Sequence, residues 1–233
     1  MSIIVPVYKE AEQITDFLRA LQVHDIDTLL EVIIVDPLGD THAAIPDSLK
    51  GWEKLKLVST DSQGRALQMN VGASEATGDV LLFLHADTRL PRNALFSLVD
   101  LLKKEKCDAG AFNLSYDDTR FRFTFIGWLA SLRSRVTRNP YGDQGFFIRR
   151  KVFEELMGFH PLPLFEDVDI CQRMKKRGYK IGFVSDAVVT SARRYQQCWI
   201  CVSVQNIVLA LLYYCGVNPE KLAKIYYKKK TND

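Results

Sequence analysis

Four short apolar runs alternate with helical patterns in the first hundred residues, and this alternation limits the fold more than any other feature. The runs lie at residues 2–7, 31–35, 54–59 and 80–84. After the first run, apolar residues recur at helical spacing at Ala11, Ile14, Phe17, Leu18 and Leu21. Further helical patterns cover residues 65–76 and 91–104. Continuous apolar strands separated by helices predict an α/β fold, with a mostly parallel central sheet and helices on both faces.

The second half of the chain is less regular. Apolar runs predict strands at residues 108–115, 144–148 and 180–184, and a helix precedes the last of them at residues 168–177. Residues 121–135 are an aromatic-rich helix or loop, in which Trp128 is expected to pack in the core or against a helix rather than to serve as a stacking platform.

The last forty residues contain two helical patterns, separated by a Gly-Val-Asn-Pro break at residues 216–219. No low-complexity linker or internal repeat precedes them. We therefore predict a catalytic domain over residues 1–195 and a C-terminal helical appendage over residues 196–233.

Composition limits the class of protein and its partners. The 233 residues are 47% hydrophobic and 25% charged, as in ordinary globular proteins, and the net charge of +3 is too small to indicate nucleic acid as a partner. The five cysteines are odd in number and unpatterned, which predicts reduced, buried thiols in a cytosolic chain. Cys198 and Cys201 could instead be a redox pair, although no strand precedes them as in thioredoxin-like motifs.

The chain is expected to be cytoplasmic. Its first residues read as a strand and lack the basic region of a secretory signal. No run reaches the ~18 uninterrupted apolar residues of a membrane span, because Ser203, Gln205 and Asn206 interrupt the best candidate at residues 199–215. Peripheral contact with the inner face of the membrane stays open as an alternative.

Polar residues follow three of the apolar runs directly. They are Tyr8-Lys9-Glu10 after the first run, Asp36 after the second and Asp87 after the fourth. Because ligands bind beyond the carboxyl ends of the strands in open α/β sheets, these residues predict a site at one edge of the sheet. Either aspartate alone could simply begin a turn, which is common for this residue.

Two further segments have the composition of a binding site. Residues 64–72 combine glycine, arginine and asparagine at a helix N-terminus, as phosphate binding requires. Residues 165–169 place three carboxylates within four positions, where mutual repulsion can leave one of them a base near neutral pH. The alternative for the second segment is a helix N-terminus with acidic residues that favour the helix dipole.

Five segments occur in an order that resembles the family 2 glycosyltransferases: SIIVPVYKEA, VIIVD, GRALQMNVGA, LLFLHADT and FEDVDICQRMKKRGY. The resemblance extends from residue 2 to about residue 195. It implies the GT-A fold, a Rossmann-like nucleotide-diphospho-sugar transferase fold, and an enzyme that uses nucleotide-activated sugars. GRALQMNVGA, LLFLHADTRLP and TSARRY together are most similar to a small bacterial subgroup associated with radical-SAM and selenium-related genes.

The resemblance implies roles on the donor side. The residues expected to line the nucleotide pocket are Pro6, Tyr8 and Glu10. Asp36 is expected to contact the base, which the resemblance implies to be uracil. The residues expected near the nucleotide and its diphosphate are Gly64, Arg65 and Asn70.

The resemblance also implies roles for residues later in the chain, in binding the acceptor and in binding the leaving diphosphate. Glu166 and Asp167 match the Glu-Asp acceptor motif of the family, with Asp167 as the expected catalytic base. Arg193 and Arg194, before Tyr195, resemble the Arg-Trp element that steadies the leaving diphosphate.

His85-Ala86-Asp87 stands where the family has an Asp-x-Asp metal motif. Since His85 replaces the first aspartate, one carboxylate and one imidazole remain as implied metal ligands. Asp87 could still hold a divalent ion together with diphosphate oxygens, because Mg²⁺ often uses one or two carboxylates plus substrate phosphates. The imidazole favours Mn²⁺ over Mg²⁺, so the expected cofactor is one of these two ions.

These assignments predict an inverting transfer of a hexosyl-type sugar from a nucleotide-diphosphate donor, expected to be a UDP-sugar, to an acceptor hydroxyl. One alternative is a sugar-nucleotide nucleotidyltransferase, although the first strand lacks the glycine-rich loop that such an enzyme needs. The other is a sugar-nucleotide-binding module without turnover, which His85 keeps open.

The C-terminal helix, at about residues 196–214, is too continuously apolar for a helix with one solvent-facing side. It is predicted to pack on its own domain, on a second subunit as a homodimer, or on a membrane that carries a lipid-linked acceptor. The lysines at residues 228–230 favour the membrane over the dimer.

Overall fold

The computed structural model describes residues 1–24, 28–104 and 107–227. In chain order, its strands are β1 (Ser2–Pro6), β2 (Glu31–Asp36), β3 (Leu55–Ser59), β4 (Val80–Phe83), β5 (Ala109–Tyr116), β6 (Phe146–Arg149) and β7 (Ile181–Thr190). Within the described residues they form a seven-stranded sheet in the order β3-β2-β1-β4-β6-β5-β7. The pairs are parallel except for those of β6, which runs antiparallel to β4 and β5. This topology confirms the predicted mostly parallel sheet.

The helices, in chain order, are α1 (Ile14–Gln22), α2 (Asp40–Ala44), α3 (Asp47–Lys50), α4 (Arg65–Glu75), α5 (Ala94–Lys104), α6 (Phe121–Thr137), α7 (Arg150–Glu155), α8 (Glu166–Lys176), α9 (Trp199–Tyr214) and α10 (Pro219–Tyr227). Short 3₁₀ turns occupy Gly142–Gln144 and Arg193–Tyr195. The predicted helices at residues 65–76, 91–104 and 168–177 are confirmed within a few residues at their ends. Residues 121–135 are helical rather than a loop.

Alternate residues of the central strands face opposite sides of the sheet, as the pleat of a strand requires. On one side, Ile3 and Val5 pack in a buried layer with Leu18 of α1 and Leu98 of α5. On the other side, Ile4 packs in a second layer, to which α4, α7 and α8 contribute. The two buried layers confirm helices on both faces and explain why the strands are apolar throughout.

A buried carboxylate joins three segments at the amino end of β2. Glu31 is 2% exposed, accepts hydrogen bonds from Ser2 Oγ at 2.6 Å and Thr77 Oγ1 at 2.7 Å, and pairs with Lys56. Burial disfavours its charge, but the lysine and the hydroxyl and amide donors outweigh this effect and lower the pKa of Glu31 to about 2. This cluster stabilises the sheet at the edge opposite the strand ends singled out above.

Helix α6 buries mainly small and polar residues and exposes most of its large apolar ones, the reverse of an ordinary amphipathic helix. Its buried residues are Phe123, Gly127, Ser131 and Ser134. A Cβ atom added at Gly127 would lie 2.7 Å from the Leu114 carbonyl oxygen, so the inner face has no room for a side chain at this position. The other aromatic residues turn outward, with Phe121 83% and Trp128 57% exposed. Trp128 therefore does not pack in the core, and it stacks instead on Phe125 of its own helix.

The C-terminal helices pack in part on the domain that precedes them. Leu209 of α9 and Leu222 of α10 form a buried cluster with Phe165 and Val168 at the start of α8. The outer face of α9 carries a stripe of exposed apolar residues, which we call the α9 stripe: Ile200, Val204, Ile207, Val208, Leu211 and Tyr214. None of the described helices combines the length and apolar character needed to cross a bilayer. The lysines at residues 228–230 lie outside the described residues.

The cysteine prediction is wrong for one pair. Cys198 and Cys201 form a disulfide bond, and Cys201 is exposed rather than buried. The reason is local, because the chain enters α9 at Cys198 and the first helical turn brings residues three apart close together. Cys107 and Cys171 are free and buried, as predicted, whereas Cys215 is free and exposed.

Candidate active site

A cleft of about 320 Å³ opens at one edge of the sheet, beyond the carboxyl ends of β4, β5 and β7. Its lining includes Asp87 after β4, Tyr116 at the end of β5 and Thr190 at the end of β7. Because β6 is antiparallel to its neighbours, the turn that precedes it, Gly142–Gln144, reaches the same edge. The first turns of α4 and α8 also line the cleft. The topology thus brings together segments that are more than a hundred residues apart in sequence.

Arg65 occupies the centre of the cleft floor. Its Nε and Nη2 atoms pair with Oε1 of Glu166, and Nη2 lies 3.8 Å from Oδ2 of Asp167. Its Nη1 atom lies 3.2 Å from Nε2 of His85. Burial disfavours the guanidinium charge, but the two carboxylates outweigh this effect and raise the pKa of Arg65 above its ordinary value. Arg65 therefore stays charged and joins the two sequence motifs that contain His85 and Glu166.

His85 and Asp87 follow β4 and differ in their surroundings. Burial, and after it the charge of Arg65, lowers the pKa of His85 to about 3, so its imidazole is neutral. Burial raises the pKa of Asp87, and the charge of Arg193 opposes this shift. The hydroxyls of Thr88 and Thr190 lie 3.5 Å from Oδ1 of Asp87, so the carboxylate makes only long contacts. It is available to a ligand in the cleft.

Of the two residues implied as metal ligands, Asp87 offers a carboxylate that is accessible from the cleft. Across residues 1–24, 28–104 and 107–227, no three His, Cys, Asp or Glu side chains converge as a metal site. Asp87 fits a metal that takes its other ligands from a diphosphate and water. His85 fits less directly, since its Nε2 atom faces Arg65 and ligation through that atom requires Arg65 to move.

The Glu166-Asp167 motif begins α8 and forms one wall of the cleft. Phe165, just before it, has a left-handed backbone (φ 67°), which turns the chain sharply into the helix. Oδ2 of Asp167 accepts a hydrogen bond from the Gly142 amide at 2.6 Å, and Oδ1 accepts one from the Val168 amide at 2.7 Å. Burial raises the pKa of Glu166, and Arg65 opposes this shift. Both carboxylates of the motif are thus engaged within the protein.

A further carboxylate in the cleft lining, Asp143, follows the glycine that contacts Asp167 and was missed by the sequence analysis. It sits in the turn Gly142–Gln144 and lines the cleft. Burial is the main cause that raises the pKa of Asp143 to about 6; Arg133 opposes the shift and Asp167 adds to it. The Gly-Asp-Gln turn after Asn139-Pro140 was the available signal, because such turns begin strands and can present a side chain at a sheet edge.

The predicted nucleotide residues lie along the ends of β1 and β2. Pro6 lies beside Arg65 and His85 under the cleft, while Tyr8 is 50% exposed. Asp36 is buried, and its oxygens accept hydrogen bonds from the Leu38 amide at 3.1 Å and the His42 amide at 2.9 Å. Glu10 joins this region through its own amide, which donates to Thr41 Oγ1. The carboxylate of Asp36 therefore shapes the loop after β2.

Within residues 64–72, Arg65 lines the cleft, whereas Gln68 and Asn70 bind the protein backbone elsewhere. Gly64 begins α4 with a positive φ of 116°, which positions Arg65 as the first helical residue. The Asn70 amide donates to the Phe159 carbonyl at 2.8 Å and accepts from the Phe159 amide at 2.9 Å, outside the cleft lining. Gln68, which the sequence analysis did not single out, donates to the carbonyls of Val7 and Val35 and links β1 to β2.

Arg193 and Arg194 lie in the turn after β7. Arg193 donates to Ser191 Oγ at 3.0 Å and to Gln13 Oε1 at 2.6 Å. Arg194 lines the cleft and stacks over the ring of Tyr226, with its guanidinium carbon 4.1 Å from the ring centroid. Arg194 therefore adds positive charge to the cleft lining, and Arg193 is close enough to Asp87 to oppose the rise of its pKa.

Comparison with known proteins agrees with this geometry. Residues 2–157 match the family model described as Glycosyl transferase family 2. A relative from Sodalis glossinidius (strain morsitans), named undecaprenyl-phosphate 4-deoxy-4-formamido-L-arabinose transferase, is 24% identical over 174 residues. That match covers 71% of this chain and 53% of the relative, so the chain spans about half the length of that curated protein.

Solved structures resemble the whole architecture. The mannosyltransferase PcManGT from Pyrobaculum calidifontis, in complex with GDP-Man and Mn²⁺, superposes with a TM-score of 0.73 at 24% identity, covering 98% of this chain and 68% of that one. TarS 1–349 of S. aureus, in complex with UDP-GlcNAc, gives a TM-score of 0.62 at 19% identity and covers 82% and 58% of the two chains. These likenesses confirm the GT-A fold.

The family model covers well over half of the chain and includes β1 to β4, the cleft turn before β6 and the arginine that begins α4. The chain therefore belongs to glycosyl transferase family 2.

Proposed function

We propose that this chain transfers a sugar from a nucleotide-diphosphate donor to an acceptor hydroxyl, with inversion at the anomeric carbon. The observation that carries the proposal is the lining of one cleft by Asp87 and Arg194 together with the carboxylate of Asp167, while the charge of Arg193 also acts on Asp87. An inverting transfer needs a positive region for the leaving diphosphate and a carboxylate on the opposite face for the acceptor proton. We assign the chain to the radical-SAM and selenium-associated subgroup on the motifs at residues 64–73, 81–91 and 190–195.

The donor is proposed to lie across the ends of β1 and β4. Pro6, Tyr8 and Glu10 border the nucleoside, and Gly64 with Arg65 lies beneath the diphosphate. A divalent metal bound at Asp87, Mn²⁺ or Mg²⁺, would neutralise the diphosphate and stabilise charge on the leaving group.

The nucleotide is proposed to be UDP, on the resemblance of the first two strand ends to the family motif. In this arrangement Asp36 influences the nucleotide base indirectly. Its two oxygens accept hydrogen bonds from backbone amides of the loop after β2, and that loop contacts the base. The structural neighbours include one protein with GDP-Man and one with UDP-GlcNAc, so both donors belong in the test.

The acceptor is proposed to be lipid-linked and presented at a membrane surface. The α9 stripe supports this proposal, because helix α9 lines the cleft through Leu209 on its other side. The named substrate of the Sodalis relative, undecaprenyl phosphate, is a lipid carrier of this kind. We therefore propose a cytoplasmic protein that contacts the inner face of the membrane peripherally.

The donor proposal is tested with a panel of nucleotide sugars, each with Mn²⁺ or Mg²⁺. A donor at 100 times its Kd raises stability by about 2.7 kcal/mol, which thermal denaturation detects. Release of nucleoside diphosphate then measures turnover. We expect Asp87→Asn to abolish metal-dependent binding, whereas Asp100→Asn, an equal change of charge on α5, leaves it unchanged. Binding without release would support a binding module, and release of pyrophosphate from a nucleoside triphosphate would support a nucleotidyltransferase.

The membrane proposal is tested with anionic vesicles. We expect Val204→Ser with Ile207→Ser to lower vesicle binding at least tenfold, while Phe96→Ser, an exposed aromatic position on α5, has no effect. If sedimentation shows that the same double variant dissociates a dimer and vesicle binding does not change, the α9 stripe is a subunit interface instead.

A further inference from the structure

The side chain of Arg194 is held in the cleft by the two C-terminal helices. Its Nη1 atom donates a hydrogen bond to the hydroxyl oxygen of Tyr226 on α10, and its guanidinium carbon lies 4.1 Å from the centroid of the same ring. Its Nη2 atom lies 3.5 Å from Oδ1 of Asn206 on α9. Both partners are uncharged, so they orient the guanidinium without neutralising it.

Tyr226 is fixed in place by the packing of α10. Leu222, four residues earlier and therefore on the same face of the helix, is fully buried in a cluster with Phe165 and Val168 at the start of α8. The ring of Tyr226 packs against this cluster and also lines the cleft. The ring that contacts Arg194 is thus anchored to the helix that carries the Glu-Asp motif.

These contacts reduce what a ligand must do to use Arg194. The residue lies in the short turn Arg193–Tyr195 and is exposed, where a long side chain ordinarily samples many rotamers. Ordering such a side chain on binding weakens the affinity for the ligand, and ordering it beforehand removes that cost. The contacts with Tyr226 and Asn206 use only part of the N–H groups of the guanidinium, so donors remain for phosphate oxygens.

We propose that Tyr226 is a positioning residue, which holds Arg194 in the orientation that binds the leaving diphosphate. This inference rests on the proposed function, in which Arg194 supplies positive charge to that diphosphate. Helices α9 and α10 are then part of the donor site, although the sequence analysis assigned residues 196–233 to an appendage. The ligand class that depends on Tyr226 is a nucleoside diphosphate, free or attached to a sugar.

The experiment measures the Kd of UDP and of GDP with Mn²⁺ by calorimetry, and then compares the tighter of the two with its monophosphate. We expect Arg194→Ala to raise the Kd of the diphosphate by about 10–100-fold, because it removes hydrogen bonds from a charged donor. Tyr226→Ala should raise it by about 3–10-fold, because Arg194 must then be ordered on binding. Both variants should change the Kd of the monophosphate less, since it carries less charge.

A double-mutant cycle separates positioning from direct contact with the ligand. If Tyr226 acts through Arg194, adding Tyr226→Ala to Arg194→Ala should raise the Kd of the diphosphate by less than about twofold more. Tyr226→Phe keeps the ring beside the guanidinium and should give a Kd between those of the wild type and Tyr226→Ala. Full additivity of the two alanine changes would mean that Tyr226 contacts the nucleotide itself, which overturns the inference.

Two further variants separate positioning from packing. Tyr226→Leu keeps an apolar side chain against the start of α8 but lacks the ring and the hydroxyl, so it should match Tyr226→Ala in Kd while unfolding near the temperature of the wild type. Ile225→Ala, on the exposed side of α10, should change neither quantity. If Tyr226→Leu binds the diphosphate as the wild type does, the inference fails while the transfer stands. If the wild type binds neither diphosphate and releases none from any nucleotide sugar, the proposed function itself fails.

Discussion

Helices α5 and α6 pack in the same buried layer of the protein, yet they present opposite surfaces to it. Helix α5 turns leucines inward, among them Leu95, Leu98 and Leu102. Helix α6 buries Phe123 at its start but otherwise turns Gly127 and two serines inward, and it leaves most of its large apolar residues in solvent. Ser131 Oγ accepts from the Leu114 amide at 2.8 Å, and Ser134 Oγ donates to Gln144 at 2.6 Å, so hydrogen bonds attach α6 to the sheet.

The difference shows that two helices of one layer are attached to the sheet in different ways. Helix α5 relies on apolar burial, worth about 1.5–3 kcal/mol for each fully buried large side chain. Helix α6 adds close backbone approach at Gly127 and buried hydrogen bonds from its serines, one of them to the turn that carries Asp143. The outward aromatic residues of α6 therefore contribute little to the fold and are available for contact with another surface.

The largest expected effect lies on the inner face of α5. Leu98→Ala should lower the free energy of unfolding by about 2–5 kcal/mol, because it leaves a cavity in the apolar layer. Phe96→Ala, on the exposed side of the same helix, should change it by less than about 0.5 kcal/mol. Urea denaturation measures both. Equal losses at the two positions would contradict the assignment of the faces.

On the inner face of α6, at Gly127, an added methyl group should lower the free energy of unfolding. Gly127→Ala is expected to lower the free energy of unfolding by about 1–3 kcal/mol, because the new methyl would lie 2.7 Å from the Leu114 carbonyl oxygen. Helix propensity alone predicts the opposite, a gain of about 1 kcal/mol. Thr124→Ala, at an exposed position of α6, is the matched control. A stabilised Gly127→Ala protein would show that α6 does not approach β5 so closely.

Lowering the pH should reduce the contribution of Glu31 to the free energy of unfolding, but not that of the hydrogen bond between Ser134 and Gln144. At pH 7 we expect Glu31→Gln to cost about 1–3 kcal/mol. The pKa of Glu31 is lowered from 4.5 to about 2 on folding, so its contribution is present above pH 4.5 and is lost as the pH falls towards 2. The difference between the wild type and Glu31→Gln should therefore shrink over that window.

The control for this comparison is Ser134→Ala, which removes a buried hydrogen bond between two uncharged side chains, Ser134 and Gln144. Its cost, about 1–3 kcal/mol, should stay constant over the same pH range because neither side chain titrates there. Denaturation curves collected between pH 7 and pH 2.5 measure both differences. A parallel decline in the two would point to a general effect of acid rather than to Glu31.

The smallest effect is expected on the outer face of α6. Trp128→Ser should change the free energy of unfolding by less than about 0.5 kcal/mol, because the ring contacts mainly Phe125 and solvent. The same change should weaken retention on a hydrophobic-interaction column. Phe123→Ala, at the buried aromatic position of this helix, should instead cost about 3–5 kcal/mol. A large loss of stability at Trp128 would mean that the ring supports the fold.

Much of the donor side could be predicted from the sequence. The apolar strands are continuous because both faces of the sheet are covered, and polar residues at their carboxyl ends, such as Asp87, must then lie at one edge. The motifs that begin α4 and α8 were also assigned to one site, and in the structure Arg65 of the first contacts Glu166 of the second. These features are local patterns, and their periodicity is visible in a single chain.

Other features needed the tertiary structure. Asn70 belongs to a predicted phosphate segment, but its amide binds the backbone of Phe159, eighty-nine residues away. The aromatic residues of α6 look like core residues in sequence, and only the close approach of Gly127 to β5 turns them outward. The Cys198–Cys201 bond likewise depends on where α9 begins.

The sequence by itself determined the class of fold, the order of its elements and the residues at the strand ends, because hydrophobic periodicity and strand-end position are properties of neighbouring residues. The tertiary structure decided that a further carboxylate joins the cleft lining. Asp143 faces the cleft only because β6 runs antiparallel and returns its preceding turn to the same edge as β4 and β5. Strand direction is set by pairing between distant segments, which no local pattern at residues 142–144 records.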